Sequence, residues 1–274
     1  MKNLFFAMVV AAMAFAVNAN AQISVGVGYA NETVTNKTSY SETSENSKGY
    51  EWSKSKMQLN GFYIEAAYNL DLAKVASGTL SVQPGVRYYC LTDINGKSKS
   101  NWKGTNEGQK VYQKTSGKSS YSDHFIDIPI NVKYSYDIVS GALKAYAFAG
   151  PVLSLGLAAN SIDIERTKAD NGSEKYNFKE MTKYNTYTGK YVIETYDYAE
   201  NKPDIEKGKD DKYKSYNMFD LKLALGLGIT ISEKVDIKFG YNIGLLNRSF
   251  VKNVDDTKYA THSNVLYFGA AYNF

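Results

Sequence analysis

The sequence predicts an all-β fold, an eight-stranded antiparallel transmembrane β-barrel with short periplasmic turns and long extracellular loops. Three observations favour it. Apolar and polar residues alternate in eight segments, which is typical of strands with two different faces. The polar face is rich in Gly, Ala and Ser with embedded charges, which suits a narrow barrel interior better than the surface of a soluble sandwich. Short and long connections also alternate, as they do in outer-membrane barrels.

The first residues have the pattern of a secretory signal peptide. Met1–Asn3 is a short basic region, Leu4–Val17 is apolar, and Ala19–Ala21 supplies small residues at the spacing that signal peptidase requires. We expect a signal peptide at residues 1–21, with cleavage between Ala21 and Gln22. The apolar run is too short for a membrane anchor, because a spanning helix needs about 20 residues.

The composition argues against several classes of function. The 32 basic and 28 acidic residues give a net charge of +4, which is too mild to indicate a nucleic-acid partner. Cys90 is the one cysteine, so no intramolecular disulfide can form. Two histidines and one cysteine leave little for a structural zinc site. We therefore expect no nucleic-acid partner and no cofactor.

The mature domain, residues 22–274, is expected to form one barrel. Its alternating segments are 23–29, 62–70, 80–88, 126–134, 145–157, 219–229, 235–243 and 266–274. Each is roughly ten residues long, the length that a tilted membrane strand needs. The clearest is FDLKLALGLGI (219–229), in which Leu and Ile alternate with Asp, Lys, Ala and Gly.

The connections are predicted to alternate in length. Short turns are expected at 71–77, 137–141 and 232–234, and long external loops at 31–56, 92–121, 160–214 and 248–262. The longest loop contains KYNTYTGKYVIETY (183–196), which alternates around a Thr-Gly pair and is predicted to be a hairpin above the membrane. Tyr272 and Phe274 give the last strand an aromatic end, and we expect the barrel assembly machinery to recognise it.

Two adjacent segments resemble a known family. FIDIPINVKYSY (125–136) followed by LKAYAFAGPVLSLGL (143–157) resembles the porin-like outer-membrane β-barrel family of Gram-negative bacteria, in which an acidic-apolar-Pro strand precedes an aromatic-Ala-Gly-Pro strand. The closing strands at 219–229, 235–247 and 266–274 are also similar. The resemblance covers the mature chain except the loops. It implies an eight-stranded barrel in the outer membrane, among its lipid and lipopolysaccharide, but no shared ligand or catalytic residue, and a function of the long insertion 160–214 cannot be transferred.

The barrel interior is expected to be charged and aromatic. The alternation points nine charged residues inward: Glu65, Arg87, Asp127, Lys133, Lys144, Asp220, Lys222, Asp236 and Lys238. The aromatic residues on the same face are Tyr63, Tyr89, Phe125, Tyr146 and Phe148. Buried charges must be paired or hydrated, so we predict that Arg87 pairs with Asp127, with Glu65 nearby. A network that plugs the barrel is favoured, and a constricted ion path is the alternative.

Three prolines lie within predicted strands. Pro84, Pro129 and Pro151 fall on consecutive strands, at similar distances from the short turns. Proline cannot donate a ladder hydrogen bond, and a closed barrel has no edge to place it on. The sequence therefore predicts a bulge or bend across these strands, with lumen side chains or water serving the carbonyls left without a donor.

Catalytic and metal sites are weakly indicated. Ser122 with His124, and His262 with Ser263, are the Ser–His pairs that a lipid A-modifying enzyme could use, but neither lies in a recognisable motif and no third triad member is evident. The pairs Asp210–Asp211 and Asp255–Asp256 lack the ordered spacing of a calcium loop. We expect no catalytic and no metal-binding residue.

The long connections are rich in tyrosine, which is enriched in binding surfaces. The residues singled out as a contact surface are Tyr184, Tyr187, Tyr191, Tyr196 and Tyr198. The alternative is an aromatic girdle or an extended strand face. We expect a monomeric, non-enzymatic outer-membrane protein whose loops serve envelope structure or bind an extracellular protein or glycan; a narrow porin is the alternative.

Overall fold

The structure, a computed structural model, describes residues 22–44, 47–106, 109–170, 175–198, 202–254 and 256–274. The predicted signal peptide, including Ala21, lies outside these ranges, and Gln22 begins the first strand. Within the described ranges, no helix is long and apolar enough to cross a membrane.

The described residues form twelve β-strands. In chain order these are β1 (Gln22–Ser44), β2 (Ser47–Val75), β3 (Gly78–Asn106), β4 (Gln109–Val139), β5 (Leu143–Asp170), β6 (Lys175–Asn185), β7 (Lys190–Asp197), β8 (Lys202–Lys209), β9 (Phe219–Ile231), β10 (Val235–Gly244), β11 (Asn253–Val254) and β12 (Thr257–Asn273). A short 3₁₀ helix, Asp211–Tyr213, follows β8.

The described residues divide into two compact units. Among the described residues, the first unit comprises 22–91, 124–157 and 217–274, and the second comprises 92–123 and 158–216. Strands β3, β4 and β5 each contribute residues to both units.

Eight strands of the first unit form a closed ring. Each pairs with the next in the order β1, β2, β3, β4, β5, β9, β10 and β12, and β12 returns to β1. The closing ladder between β1 and β12 is antiparallel and runs from Ser24↔Asn273 to Tyr40↔Thr257. A sheet paired in this way leaves no free edge, so the predicted eight-stranded antiparallel barrel is confirmed.

The alternation in the sequence sorts the side chains to the two faces of the ring. On β9, Leu227 is 62% exposed while Lys222 is 1% exposed. The same pattern of buried and exposed residues recurs along β5 and β12. Charged side chains therefore point inward and aliphatic ones outward, which is the reverse of a water-soluble barrel and matches one that spans a bilayer.

Several strands extend well beyond the predicted segments. The β1–β2 ladder continues without interruption to Ser44↔Ser47, so the predicted loop 31–56 is a β-hairpin. The predicted loop 92–121 likewise lies mainly in β3 and β4. These stretches are rich in Thr, Ser and Tyr, which suit strands, but they lack the apolar–polar alternation that marks a half-buried strand.

The predicted bulge at Pro151 is wrong for the pairing of β5 with β9. The β5–β9 ladder passes through Pro151↔Leu223 with one-to-one pairing from Leu143↔Ile231 to Leu155↔Phe219. Pro84 and Pro129 lie within β3 and β4. A cavity of about 10 Å³ lies beside Pro129, which is close to the space that one water molecule occupies. Water beside Pro129 therefore remains a prediction.

The second unit contains a meander of antiparallel strands. The far end of β5 pairs with β6, β6 pairs with β7, and β7 pairs with β8. The predicted hairpin at 183–196 is confirmed, with Tyr184 opposite Tyr191. Gly189 in its turn has φ of 71°, a left-handed conformation that favours glycine, and the strand β8 after the hairpin was not predicted.

Candidate functional site

The interior of the first unit collects most of the predicted charged residues. Eight of the nine are buried: Glu65, Arg87, Asp127, Lys133, Asp220, Lys222, Asp236 and Lys238. The ninth, Lys144, is partly exposed near the short turns, where its ammonium lies 2.8 Å from the carboxylate of Glu233. This hydrogen bond lowers the pKa of the Glu233 carboxyl.

A first cluster of interior charges centres on Arg87. Its Nη2 and Nε lie 2.9 and 3.0 Å from the same carboxylate oxygen of Glu65, and Lys238 donates to the other oxygen. The Arg87 guanidinium also donates to the Tyr89 hydroxyl at 3.0 Å and lies 4.1 Å from the ring centre of Tyr267. A carboxylate held by two cations, with rings around it, compensates much of the cost of burying the charges.

A second cluster joins different strands. The Lys222 ammonium lies 3.2 Å from Asp127, whose other oxygen accepts a 3.0 Å hydrogen bond from Asn242. Lys222 also lies 4.2 Å from the ring centre of Phe125. Since Arg87 pairs with Glu65 and Asp127 pairs with Lys222, the predicted Arg87–Asp127 pair is wrong.

Aromatic rings fill the interior by packing on glycines. The five predicted interior aromatics are buried, and so is Tyr267, which the sequence analysis did not single out although it lies on the polar face of its strand. A Cβ added at Gly240 would lie 2.2 Å from Cζ of Tyr267, and one at Gly269 would lie 2.2 Å from the hydroxyl of Tyr63. The glycines of the polar face therefore provide the space for these rings.

At the end of the first unit away from the short turns, the segment 245–252 contributes a further charged group. The Arg248 guanidinium is buried 3.5 Å from the Glu32 carboxylate. Asn247 holds the segment in place, because its Oδ1 accepts from the backbone amides of Ser249 and Thr261, both at 2.9 Å. Arg248 was not predicted to be a site residue, because a residue in a connection has no alternating pattern that assigns it to a face.

The two Ser–His pairs considered for catalysis have other partners. His124 Nδ1 lies 2.8 Å from the Tyr88 hydroxyl. The buried Ser263 hydroxyl donates to the Glu32 carboxylate, so it has a structural hydrogen bond in place of an activating histidine. Neither contact resembles the nucleophile–base pair that acyl transfer needs.

A cavity opens at the end of the ring that carries the short turns. Its volume is about 500 Å³, and its lining includes Asp71, Gln83, Lys133, Asp137 and Lys144 together with Glu233 and Asp236. Phe274 lies at the same end, where its amide donates to the Ile23 carbonyl at 2.8 Å. The rings of Tyr272 and Phe274 pack edge to face at 5.0 Å, with both side chains exposed outward.

The predicted tyrosine surface divides into buried and accessible members. Tyr187 is buried, and its hydroxyl donates to both oxygens of Asp123 at 2.8 and 3.0 Å, so it belongs to the core of the second unit. Beside it, Tyr121 is buried enough that its phenol pKa is raised well above the usual value. Tyr196 and Tyr198 pack edge to face at 4.7 Å, and Tyr198 is exposed.

The remaining two tyrosines, Tyr184 and Tyr191, pack against the ring of Tyr213, which was not predicted to be part of the surface. Tyr184 and Tyr191 lie 5.1 and 4.9 Å from Tyr213 in the 3₁₀ helix. Lys212 lies 5.0 Å from the same central ring, and Tyr191 donates to Glu206 at 2.6 Å. We call Tyr184, Tyr191 and Tyr213, with Lys212, the tyrosine cluster.

The acidic pairs considered for metal binding give no site in the described ranges. No group of three or more His, Cys, Asp or Glu there is arranged to hold a metal ion. Asp210 caps the 3₁₀ helix by accepting from the Lys212 amide at 2.9 Å, and this hydrogen bond lowers the pKa of the Asp210 carboxyl. Asp255 lies outside the described residues.

One protein family matches most of the chain. The sequence profile of the family described as "Outer membrane protein beta-barrel domain" matches residues 13–249. No curated protein sequence is significantly similar to the chain.

Solved structures of outer-membrane proteins are also similar. Ail, the attachment invasion locus protein of Yersinia pestis, is 11% identical, covering 93% of this chain and 100% of that chain, with a TM-score of 0.26. Neisserial surface protein A is 12% identical over 93% of this chain and 98% of that chain, at 0.28. The outer membrane protease OmpT from Escherichia coli is 11% identical over 92% and 97%, at 0.28.

Proposed function

Because the chain belongs to the outer membrane protein beta-barrel domain family and is an outer-membrane protein, we propose that it is a non-enzymatic, non-conducting barrel that presents its second unit as a binding surface. The short turns of outer-membrane barrels face the periplasm. The second unit is formed by two of the long connections, Thr92–Asp123 and Ala158–Tyr216, and the long connections of such barrels belong to the cell exterior. Its partner is an extracellular protein or glycan.

The observation that carries the non-conducting part is the filled interior. Glu65, Arg87 and Lys238 form one bonded group, surrounded by the buried rings of Tyr63 and Tyr267. An eight-stranded barrel has an interior that such side chains fill. An ion would have to displace several buried, mutually bonded charges to pass.

Conductance in planar bilayers tests this directly. We expect the purified, folded chain to give no steady open state, because the bonded Arg87 group and the buried rings around it occupy the interior. Steady, large channels from protein with intact loops would contradict the sealed barrel and favour the narrow porin, the second candidate. The cavity of about 500 Å³ at one end of the barrel is the observation that favours the narrow porin.

The tyrosine cluster supports the binding part of the proposal. Tyr184 and Tyr191 lie on the paired strands β6 and β7, and Tyr213 lies on the 3₁₀ helix. Tyr187 and Asp123 supply a buried core beneath the hairpin turn. Rigid tyrosines with a cation and carboxylates nearby offer large contact area at low entropic cost. An ordered surface of this kind binds with less loss of conformational freedom than a flexible loop.

Serine substitutions at accessible rings test the surface. We expect Tyr191→Ser combined with Tyr198→Ser to weaken binding to immobilised extracellular-matrix proteins or glycans by about tenfold or more, without changing the gel mobility that reports barrel folding. Tyr40→Ser, which removes an exposed tyrosine of the first unit, is the matched control. Equal binding by the double variant and by the control would contradict the proposed surface.

A further inference from the structure

The cavity at the short-turn end is independent of the surface described above. Its lining side chains include four carboxylates, Asp71, Asp137, Glu233 and Asp236, and two ammonium groups, Lys133 and Lys144, which together carry a charge of −2. Neutral amides and hydroxyls complete its lining, among them Asn69, Gln83, Thr79 and Ser135. A cavity of about 500 Å³ with a few convergent polar groups is within the size range of small-molecule sites.

Polar groups deep in this cavity have unused hydrogen-bonding capacity. Gln83 is 7% exposed, and its side-chain amide makes no hydrogen bond to another side chain in the described part of the chain. Lys133 is also buried; its ammonium lies 3.9 Å from the ring centre of Tyr146, and the nearest carboxylate oxygen, on Asp236, is 3.8 Å away. An ammonium group carries three donors, so Lys133 can bind a further acceptor. Buried polar groups are normally satisfied, and these two therefore point to a ligand.

The mouth of the cavity has the opposite character. Asp71 is exposed and accepts a hydrogen bond from the Asn69 amide nitrogen at 2.9 Å. The Asn69 amide oxygen is buried and has no hydrogen-bond partner among the described residues. The Lys144 ammonium forms an ion pair with Glu233 and lies 3.9 Å from the Asp137 carboxylate. The excess negative charge is thus at the mouth, and the buried ammonium of Lys133 is deeper.

We propose that this cavity binds a zwitterionic solute of the short-peptide class, with its ammonium group at Asp71 and Asn69 and its carboxylate at Lys133 and Gln83. This arrangement places each ligand charge against its opposite and satisfies the amides. The opening faces the periplasm, given the usual orientation of short turns. The site would therefore sample periplasmic peptides, separately from any partner of the second unit.

Peptides capped at one terminus test the ammonium-binding and the carboxylate-binding ends of the site independently. The probe is trialanine, titrated calorimetrically into the folded full chain in detergent; N-acetyl-trialanine lacks the ammonium group and trialanine amide lacks the carboxylate. We expect trialanine to bind and each cap to weaken binding about tenfold, as expected for the loss of one charge-assisted contact. No measurable binding of trialanine at millimolar concentration, or equal binding of the three peptides, would overturn the proposal and leave a cavity filled with water.

Variants assign each end to its residues. Asp71→Asn should weaken trialanine to the level of the acetylated peptide and leave the acetylated peptide unchanged, because both changes remove the same contact. Gln83→Leu should weaken trialanine and its acetylated form alike. Asp211→Asn, at an exposed position in the second unit, should change nothing. Loss of acetylated-peptide binding in Asp71→Asn would place the ammonium elsewhere and refute the assignment.

Discussion

Replacing Lys222 by methionine is expected to destabilise the folded barrel by about 3–5 kcal/mol, the usual cost of leaving one member of a buried ion pair without its partner. The side chains of Lys222 and Asp127 are both fully buried. Without Lys222, the Asp127 carboxylate keeps the hydrogen bond from Asn242 but loses its neutralising charge. Methionine retains the apolar length of lysine, so the loss reports the charge more than the packing.

Urea titration of the protein in lipid vesicles, followed by gel mobility, measures this effect. The matched control is Lys212→Met in the second unit, an exposed lysine whose replacement should cost less than about 0.5 kcal/mol. The double variant Lys222→Met/Asp127→Leu removes both charges and should recover most of the lost stability. A single variant as stable as the wild type would mean that water or another cation serves Asp127.

The faces of the strands could be predicted from the sequence, but the charge partners could not. Alternation with a period of two fixes whether a side chain points inward, and Glu65, Asp127 and Lys222 all point inward as predicted. The height of a residue along the barrel depends on the stagger of the closed sheet. That stagger brings together residues of strands that are not neighbours in the ring, such as Lys238 on β10 and Glu65 on β2.

The second unit shows a different limit. Strand β8 is exposed along its whole length, so no apolar face marks it in the sequence. Tyr187 was predicted to be part of a contact surface because it lies among other tyrosines, yet it is buried on Asp123. A deletion of residues 183–201, intended to test binding, would also remove Tyr187 from the core. Any loss of binding could then result from loss of folding. Serine substitutions at the accessible rings of Tyr191 and Tyr198 avoid that ambiguity.

Gly240→Ala is expected to destabilise the barrel by about 1–3 kcal/mol or more, as overpacking does in close-packed interiors. The three atoms nearest to an added Cβ all belong to the Tyr267 side chain, at 2.2, 2.3 and 2.7 Å. The ring is buried and carries the Arg87 guanidinium on its face. A displacement of the Tyr267 ring would therefore also disturb the group formed by Arg87, Glu65 and Lys238.

A second substitution separates this clash from a general effect of alanine. Tyr267→Leu removes the atoms that the new methyl group meets, so Gly240→Ala should cost clearly less in the Tyr267→Leu background than in the wild type. Gly85→Ala is the matched control, because its nearest neighbour would be 3.0 Å away and the strain correspondingly smaller. If the two costs simply add in the double variant, then Tyr267 is not what the glycine accommodates, and the packing of rings on glycines would not explain the glycine-rich inner face of the barrel.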